Sequence, residues 1–120
     1  MRMTATASPF DVESLIADPS LENLTSLLAD NVRWIEVDPR SQPHAPAIYR
    51  GRDEVVAMLE DAHSRGIVSQ VVDGFAAGDR AAVAVLCTYA GGAGQVRCNA
   101  LLHISDGKIV RWDGVQAWDE

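Results

Sequence analysis

The chain has 120 residues and a formal net charge of −7 at pH 7, and hydrophobic residues make up 48% of it. This length and composition indicate a single folded domain, residues 1–120, with one core. Basic residues are not clustered, which excludes an obvious nucleic-acid or anionic-membrane partner. No apolar run approaches the roughly 20 residues of a membrane span. The first ten residues lack the apolar segment of a signal peptide, so we expect a cytoplasmic location.

Two short helices are predicted near the start of the chain. Residues 1–7 show no periodic pattern and are expected to form a loose tail. Ser8 and Pro9 are typical of the first positions of a helix, and Asp18 with the following proline ends it. The second helix carries leucines at the spacing of one buried face, namely Leu21, Leu24, Leu27 and Leu28.

A strand, a loop and a third helix follow. The strand Asn31–Asp38 alternates so that one face carries Val32, Trp34, Glu36 and Asp38. The segment Pro39–Arg50 holds three of the five prolines and is predicted to be a polar loop of the kind that lines a pocket mouth. A helix is predicted from Gly51 to about Arg65.

The rest of the chain is predicted to form four strands separated by glycine-containing turns. They are Ile67–Ala77, Arg80–Ala90, Gln95–Ile104 and Lys108–Trp118. This order of elements predicts an α+β fold in which the helices pack on one face of a curved antiparallel sheet.

The last hairpin contains the most informative residue, Asp113. A two-residue turn at Asp106-Gly107 is a strong hairpin signal and would pair Ala100 with Asp113 on the apolar face. A carboxylate buried there should have a raised pKa, which suits acid/base catalysis. Alternatively, Asp113-Gly114 forms a bulge that turns the aspartate to solvent.

The two cysteines, Cys87 and Cys98, lack metal-ligand spacing. A turn at residues 91–94 would place them opposite each other on adjacent strands, and we expect buried, reduced thiols. No set of His, Asp and Glu residues shares one face at ligand spacing, so no metal site is predicted.

Three segments together resemble the nuclear transport factor 2-like superfamily, and within it the SnoaL-like polyketide cyclases and ketosteroid isomerases. They are Leu-Leu-Ala-Asp-Asn-Val-Arg-Trp, Tyr-Arg-Gly-Arg-Asp-Glu-Val and Asp-Gly-Lys-Ile-Val-Arg-Trp. The resemblance covers about residues 18–119. It implies a cone-shaped fold that encloses a pocket between the concave sheet face and the helices, and a homodimer through the convex face.

The resemblance also suggests which residues do chemistry. Asp38, followed by proline, matches the general base of the isomerases, whereas Glu36 matches an acid that SnoaL-like proteins often have two residues after the strand tryptophan. Both lie on the Trp34 face, so the choice stays open. The isomerases' tyrosine on the early helices is absent and their strand aspartate aligns with Ala100, so steroid-type isomerisation is not expected. Trp112-Asp113 is similar to an epoxide hydrolase motif, but the Arg-x-Asp partner is missing.

Further residues are predicted to line the pocket or the dimer interface. The candidates for substrate binding are Trp34, Tyr49, His63 and Tyr89. The candidates for the convex interface, from strand alternation, are Leu101, His103, Trp112 and Trp118.

These features lead to two hypotheses about function. The first is a cofactor-free isomerase or cyclase that moves a proton on a small, apolar, enolisable molecule. Asp38 or Glu36 would be its base and Asp113 a second acid/base group. The second is a non-catalytic ligand-binding or dimerisation module on the same fold.

Overall fold

The structure, a computed structural model, describes residues 10–92 and 94–118, and the side chain of Trp118 lies outside this description. Within these ranges three α-helices, one 3-10 turn at Ala90–Gly92 and six strands form an α+β fold, which confirms the predicted class. The elements are α1 (Val12–Ala17), α2 (Leu21–Ser26), β1 (Leu28–Val37), β2 (Ala47–Arg50), α3 (Arg52–Ser64), β3 (Val68–Ala77), β4 (Arg80–Thr88), β5 (Gln95–Ser105) and β6 (Lys108–Trp118).

The strands form one curved, unclosed sheet in the order β2-β1-β6-β5-β4-β3. Neighbouring strands are antiparallel except for β1 and β6, which run parallel, so the sheet is mixed rather than antiparallel throughout. Because β6 lies between β1 and β5, the first and last of the described strands meet in the middle of the sheet. This adjacency brings together the residues of the candidate site.

The helices begin and end where local side-chain chemistry favours it. Asp11 caps α1 by accepting a hydrogen bond from the backbone N–H of Ser14, and Ser20 caps α2 through the N–H of Asn23. The predicted start at Ser8 and Pro9 lies outside the described residues. Helix α3 begins directly after Gly51, whose φ of 84° favours glycine.

The prediction of a continuous loop over Pro39–Arg50 was wrong at its end, because Ala47–Arg50 forms strand β2. This strand pairs with residues 33–36 of β1. Four residues are too few for an alternating pattern to stand out in the sequence, and the strand exists because β1 offers it a partner.

The final hairpin has the predicted two-residue turn but not the predicted register. Ser105 pairs with Lys108, and the φ angles of Asp106 (52°) and Gly107 (74°) are those of a tight hairpin turn. Ile104 pairs with Ile109 as predicted. The next pair is His103 with Arg111, so Val110 has no pairing partner on β5 and forms a bulge. A one-residue bulge reverses the face of every later side chain.

The bulge overturns the predicted positions of Asp113 and Trp112. Asp113 pairs with Leu101 on the outer face instead of with Ala100 on the inner face, and Ala100 faces Gly114. Trp112 is on the inner side, where it is 3% exposed. Burial of the Trp112 indole on the inner face stabilises the fold through the hydrophobic effect, whereas burial of the charged Arg111 there would cost free energy. This difference accounts for the register that β6 adopts after the bulge.

The core lies on the inner face of the sheet, between it and the helices. Its fully buried side chains are Leu15, Leu28, Val32, Val55, Leu102 and Ile109. Cys98 pairs with Val85, and Cys87 pairs with Val96, so the two thiols are diagonal neighbours rather than directly opposite. Both are free cysteines. Among the described helices, none combines the length and apolarity that crossing a membrane requires.

Candidate active site

A cavity of about 840 Å³ lies between the inner face of the sheet and the helices. Each helix contributes to its wall, with Leu15 on α1, Leu24 on α2 and Leu59 on α3 among the lining residues. The sheet contributes the floor, where strands β1, β5 and β6 place Trp34, Glu36, Cys98, Trp112 and Gln116. The volume is sufficient for a small organic molecule.

Glu36 is the buried carboxylate of this floor. It is 7% exposed, and its two oxygens accept hydrogen bonds from different strands. The indole Nε1–H of Trp34 donates to Oε1 at 2.7 Å, and the thiol of Cys98 donates to Oε2 at 3.0 Å. The side chain of Gln116 also hydrogen bonds to the carboxylate. The group is therefore held in one orientation.

Burial raises the pKa of Glu36 above its ordinary value. Desolvation of the charged form is the largest cause, and it outweighs the hydrogen bonds from Cys98, Trp34 and Gln116, which lower the pKa. The negative charge of Asp38 adds to the rise. A carboxyl group of this kind exchanges a proton closer to neutral pH than an exposed glutamate does.

Two tryptophans stack beside the carboxylate. Trp34 and Trp112 are paired positions on the parallel strands β1 and β6, and their ring centroids are 4.0 Å apart with an interplanar angle of 5°. The Nε1–H of Trp34 is used by Glu36. The Nε1–H of Trp112 is buried, and no atom in the described part of the chain accepts a hydrogen bond from it.

Gly114 permits these groups to converge. A Cβ atom at this position would lie 2.7 Å from Glu36 Oε2, 2.9 Å from Trp112 Nε1 and 3.1 Å from Cys98 Sγ. Real Cβ atoms essentially never come within 3.0 Å of such neighbours. The absence of a side chain at residue 114 therefore allows the carboxylate, the indole and the thiol to lie against the sheet backbone.

Asp38 lines the same cavity but is engaged in a turn. Its Oδ1 accepts a hydrogen bond from the backbone N–H of Arg40 at 2.9 Å, and its own N–H donates to Ser41 Oγ at 2.8 Å. Both acidic residues that were predicted on the Trp34 face thus reach the cavity, Glu36 in its floor and Asp38 in its wall.

The remaining predicted site residues divide between the cavity and other surfaces. Trp34, Tyr49 and Tyr89 line the cavity. His63 is exposed on α3 and is not a lining residue, so the prediction that it faces the cavity was wrong. Asp113 is also outside, where it pairs with Arg111 at 3.2 Å with both side chains 41% exposed. No three His, Cys, Asp or Glu side chains within the described ranges are grouped closely enough to hold a metal ion.

Three members of the site were not predicted from the sequence. Alternation along β5 correctly placed Cys98 inward, but not in contact with Glu36. Trp112 was predicted to face outward because the bulge at Val110 was not foreseen, and the same bulge turns Gln116 toward the cavity. One feature of the sequence could have revealed the bulge. Trp112 lies two residues after Val110, and strict alternation along the strand would leave this large aromatic side chain exposed.

Comparison with known proteins supports the fold. Residues 12–112 match the model of the SnoaL-like domain. A nuclear transport factor 2-like protein of unknown function from Mesorhizobium loti is 27% identical, with a TM-score of 0.65 over 78% of this chain and 75% of that one. No curated protein sequence matches.

Two other solved structures are described as candidate isomerases. A candidate ketosteroid isomerase from Kribbella flavida is 23% identical, with a TM-score of 0.64 over 90% of this chain and 71% of that one. A candidate isomerase from Rhodopseudomonas palustris is 19% identical, with a TM-score of 0.60 over 79% and 75% of the two chains. At these identities the similarity establishes the fold alone. The chain belongs to the SnoaL-like domain family of the nuclear transport factor 2-like superfamily.

Proposed function

We propose that the cavity binds a small, apolar, enolisable carbonyl compound and that Glu36 moves a proton on it, as an isomerase or cyclase does. The observation that carries this proposal is a carboxylate of 7% exposure in the floor of an 840 Å³ cavity. Its hydrogen-bond partners Trp34 and Cys98 are uncharged donors. Burying a carboxylate without a cationic partner lowers the stability of the folded protein. Because the fold keeps Glu36 in this position despite that cost, we infer that the carboxylate has a function in the cavity.

The proposed step is a proton transfer. Ionised Glu36 accepts a proton from the carbon next to the ligand carbonyl, the electron pair of that C–H bond forms a C=C bond, and the π pair of the carbonyl moves onto its oxygen. The protonated glutamic acid then returns the proton to the same or another carbon, so no cofactor takes part. A raised pKa suits both halves of this cycle, because it makes the carboxylate a stronger base while the acid remains able to donate.

Glu36 is a better candidate for the base than Asp38. The hydrogen bonds on Glu36 come from two other strand residues and orient the carboxylate at the cavity floor. The carboxylate of Asp38 closes a turn onto the backbone of Arg40. Asp38 contributes indirectly, since its charge helps to raise the pKa of Glu36.

The test uses 2-tetralone, a bicyclic ketone with acidic hydrogens at C1. Proton NMR in D₂O follows loss of the C1 signal with and without protein. We expect the protein to accelerate the exchange and Glu36→Gln to reduce the acceleration by about 100-fold or more, the usual scale for a positioned acid/base group. Asp38→Asn is the matched control and should have a much smaller effect. Exchange no faster than in buffer would favour the binding-module alternative.

The outer face of the sheet is proposed as a homodimer interface. Phe75, Leu101 and Val115 are 68%, 56% and 60% exposed, and they line a groove of about 390 Å³. Such a patch is unusual on a free monomer. Of the residues predicted for this interface, Leu101 and the half-buried His103 are on the outer face. Trp112 is not, because it is buried in the cavity floor, and the side chain of Trp118 lies outside the described structure.

The same proposal includes a cytoplasmic location. Cys87 and Cys98 are free cysteines that lie on the inner face of adjacent strands. Free thiols of this kind suit a reducing compartment.

A further inference from the structure

Among the buried side-chain nitrogen and oxygen atoms of the described residues, the indole Nε1 of Trp112 is the one without a hydrogen-bond partner. Trp112 is 3% exposed, and its Nε1 has no acceptor in the described part of the chain. Leaving such a donor buried and unpaired destabilises the folded protein, and nearly all buried donors in native proteins are paired. Trp112 lines the cavity. An acceptor supplied by a bound molecule would remove this cost.

The shared proximity of this donor and Glu36 to Gly114 limits the distance between them. Glu36 Oε2 and Trp112 Nε1 lie 2.7 Å and 2.9 Å from one point, the site of the missing Cβ atom. The two atoms are therefore no more than about 5.6 Å apart, the sum of those distances. One is an acceptor of protons and the other a donor of hydrogen bonds, so both can act on neighbouring atoms of a single ligand.

The stacking of the two tryptophans makes the donor a fixed one. The indole of Trp112 lies flat against that of Trp34, whose own N–H is committed to Glu36 Oε1 at 2.7 Å. The carboxylate is tied to Cys98 through its second oxygen. Base and donor thus belong to one rigid cluster, which is what preorganised electrostatic stabilisation requires.

We propose that the Nε1–H of Trp112 hydrogen bonds to the carbonyl oxygen of the ligand while Glu36 acts on the adjacent carbon. This inference rests on the proposed function and adds a second catalytic residue to it. When Glu36 takes the proton, the C–H bond breaks, a carboxyl O–H bond forms and negative charge develops on the carbonyl oxygen. The indole donor stabilises that charge. The ligand is accordingly a ketone, aldehyde or ester with a hydrogen on the carbon next to the carbonyl.

The direct test follows the indole N–H signals of ¹⁵N-labelled protein by NMR during titration with 2-tetralone and with tetralin, which lacks the oxygen. Trp112→Phe keeps an aromatic ring against Trp34 and identifies the Trp112 signal by its loss. We expect 2-tetralone to move this signal downfield and tetralin to leave it nearly unchanged. We also expect 2-tetralone to bind about tenfold more tightly than tetralin, and Trp112→Phe to abolish this preference.

Several outcomes would overturn the inference. They are equal shifts with both compounds, a ketone-dependent shift on a signal that survives in Trp112→Phe, or no shift with either compound up to its solubility. Ala57→Ser, an exposed change on α3 outside the cavity, is the control and should preserve the ketone-dependent shift of Trp112. The exchange assay separates this inference from the proposed function. Exchange that depends on Glu36 without a ketone-specific shift contradicts the inference alone, whereas the shift without exchange contradicts the proposed catalysis alone.

Discussion

The thiol of Cys98 donates a hydrogen bond to Glu36 Oε2 at 3.0 Å, joining β5 to β1 across the intervening strand β6. This contact lowers the pKa of Glu36 and partly offsets the effect of burial. Cys98→Ala should therefore raise the pKa of Glu36 further, because the ionised form loses a donor. Cys98→Ser, which restores a donor, should give a lower pKa than the alanine variant.

A ¹³C NMR titration of the Glu36 carboxyl carbon measures this effect. Cys87→Ala is the matched control, since the Cys87 thiol contacts Ser69 Oγ at 3.3 Å rather than the carboxylate. A Glu36 pKa that falls in Cys98→Ala would show that water entering the vacated space matters more than the lost hydrogen bond.

The raised pKa of Glu36 also predicts how stability depends on pH. The ordinary value is 4.5, and burial raises the value in the folded state. Between the two values the folded protein binds more protons than the unfolded chain, so its free energy of unfolding falls as pH rises. Relative to Glu36→Gln, the wild type should lose stability from about pH 4.5 up to the raised pKa and remain at the lower level above it.

Urea unfolding of both proteins across this pH range provides the measurement. Ala57→Ser, an exposed change on α3 that alters no titratable group, should show a constant difference from the wild type. The linkage argument would be wrong if the wild type gained stability relative to Glu36→Gln as pH increased.

Gly114→Ala should destabilise the protein and disable the site at once. The new methyl group would lie 2.7 Å from Glu36 Oε2 and 2.9 Å from Trp112 Nε1, so the carboxylate or the indole must move. Overpacking of this kind typically costs about 1–3 kcal/mol. We expect a lower melting temperature and loss of 2-tetralone exchange in the folded variant. Ser105→Ala, at the exposed end of β5, should change neither. Full activity of Gly114→Ala would mean that the close approach is dispensable.

Leu101→Arg should convert the proposed homodimer to a monomer. Leu101 is 56% exposed in the outer groove, and burying a guanidinium at an interface in place of this apolar side chain would be strongly unfavourable, since the neighbouring Asp113 is already paired with Arg111. Sedimentation velocity at micromolar concentration measures the change. Ala57→Arg adds the same charge on helix α3, away from the sheet, and should leave the assembly unchanged. A wild-type protein that sediments as a monomer would refute the interface.

Local periodicity predicted the parts of this structure that depend on neighbours in sequence. Alternation placed Glu36 beside Trp34 on β1 and Cys98 inward on β5, and both residues line the cavity. The turn at Asp106-Gly107 was also readable, because its backbone conformation follows from two adjacent residues.

The register beyond that turn depends on a contact between distant parts of the chain. The bulge at Val110 turns Trp112 toward Trp34, with which it then stacks. The sequence of the hairpin does not contain this partner, so strict alternation left Trp112 outside and brought Asp113 in. The bulge at Val110, a single residue, therefore reversed the predicted positions of Trp112 and Asp113.

The parallel pairing of β1 with β6 has a consequence for the order of folding. β6 is synthesised after all the other described strands, yet it occupies the interior of the sheet between β1 and β5. Closing so large a loop is entropically costly and slows assembly. The hairpins β3–β4, β4–β5 and β5–β6 can form from local contacts, and so can the pair β1–β2, whereas β1 joins the rest of the sheet only through β6. The cavity floor, which contains Glu36 and both stacked tryptophans, is therefore expected to form in the last cooperative step, and a nascent chain that lacks β6 has no site.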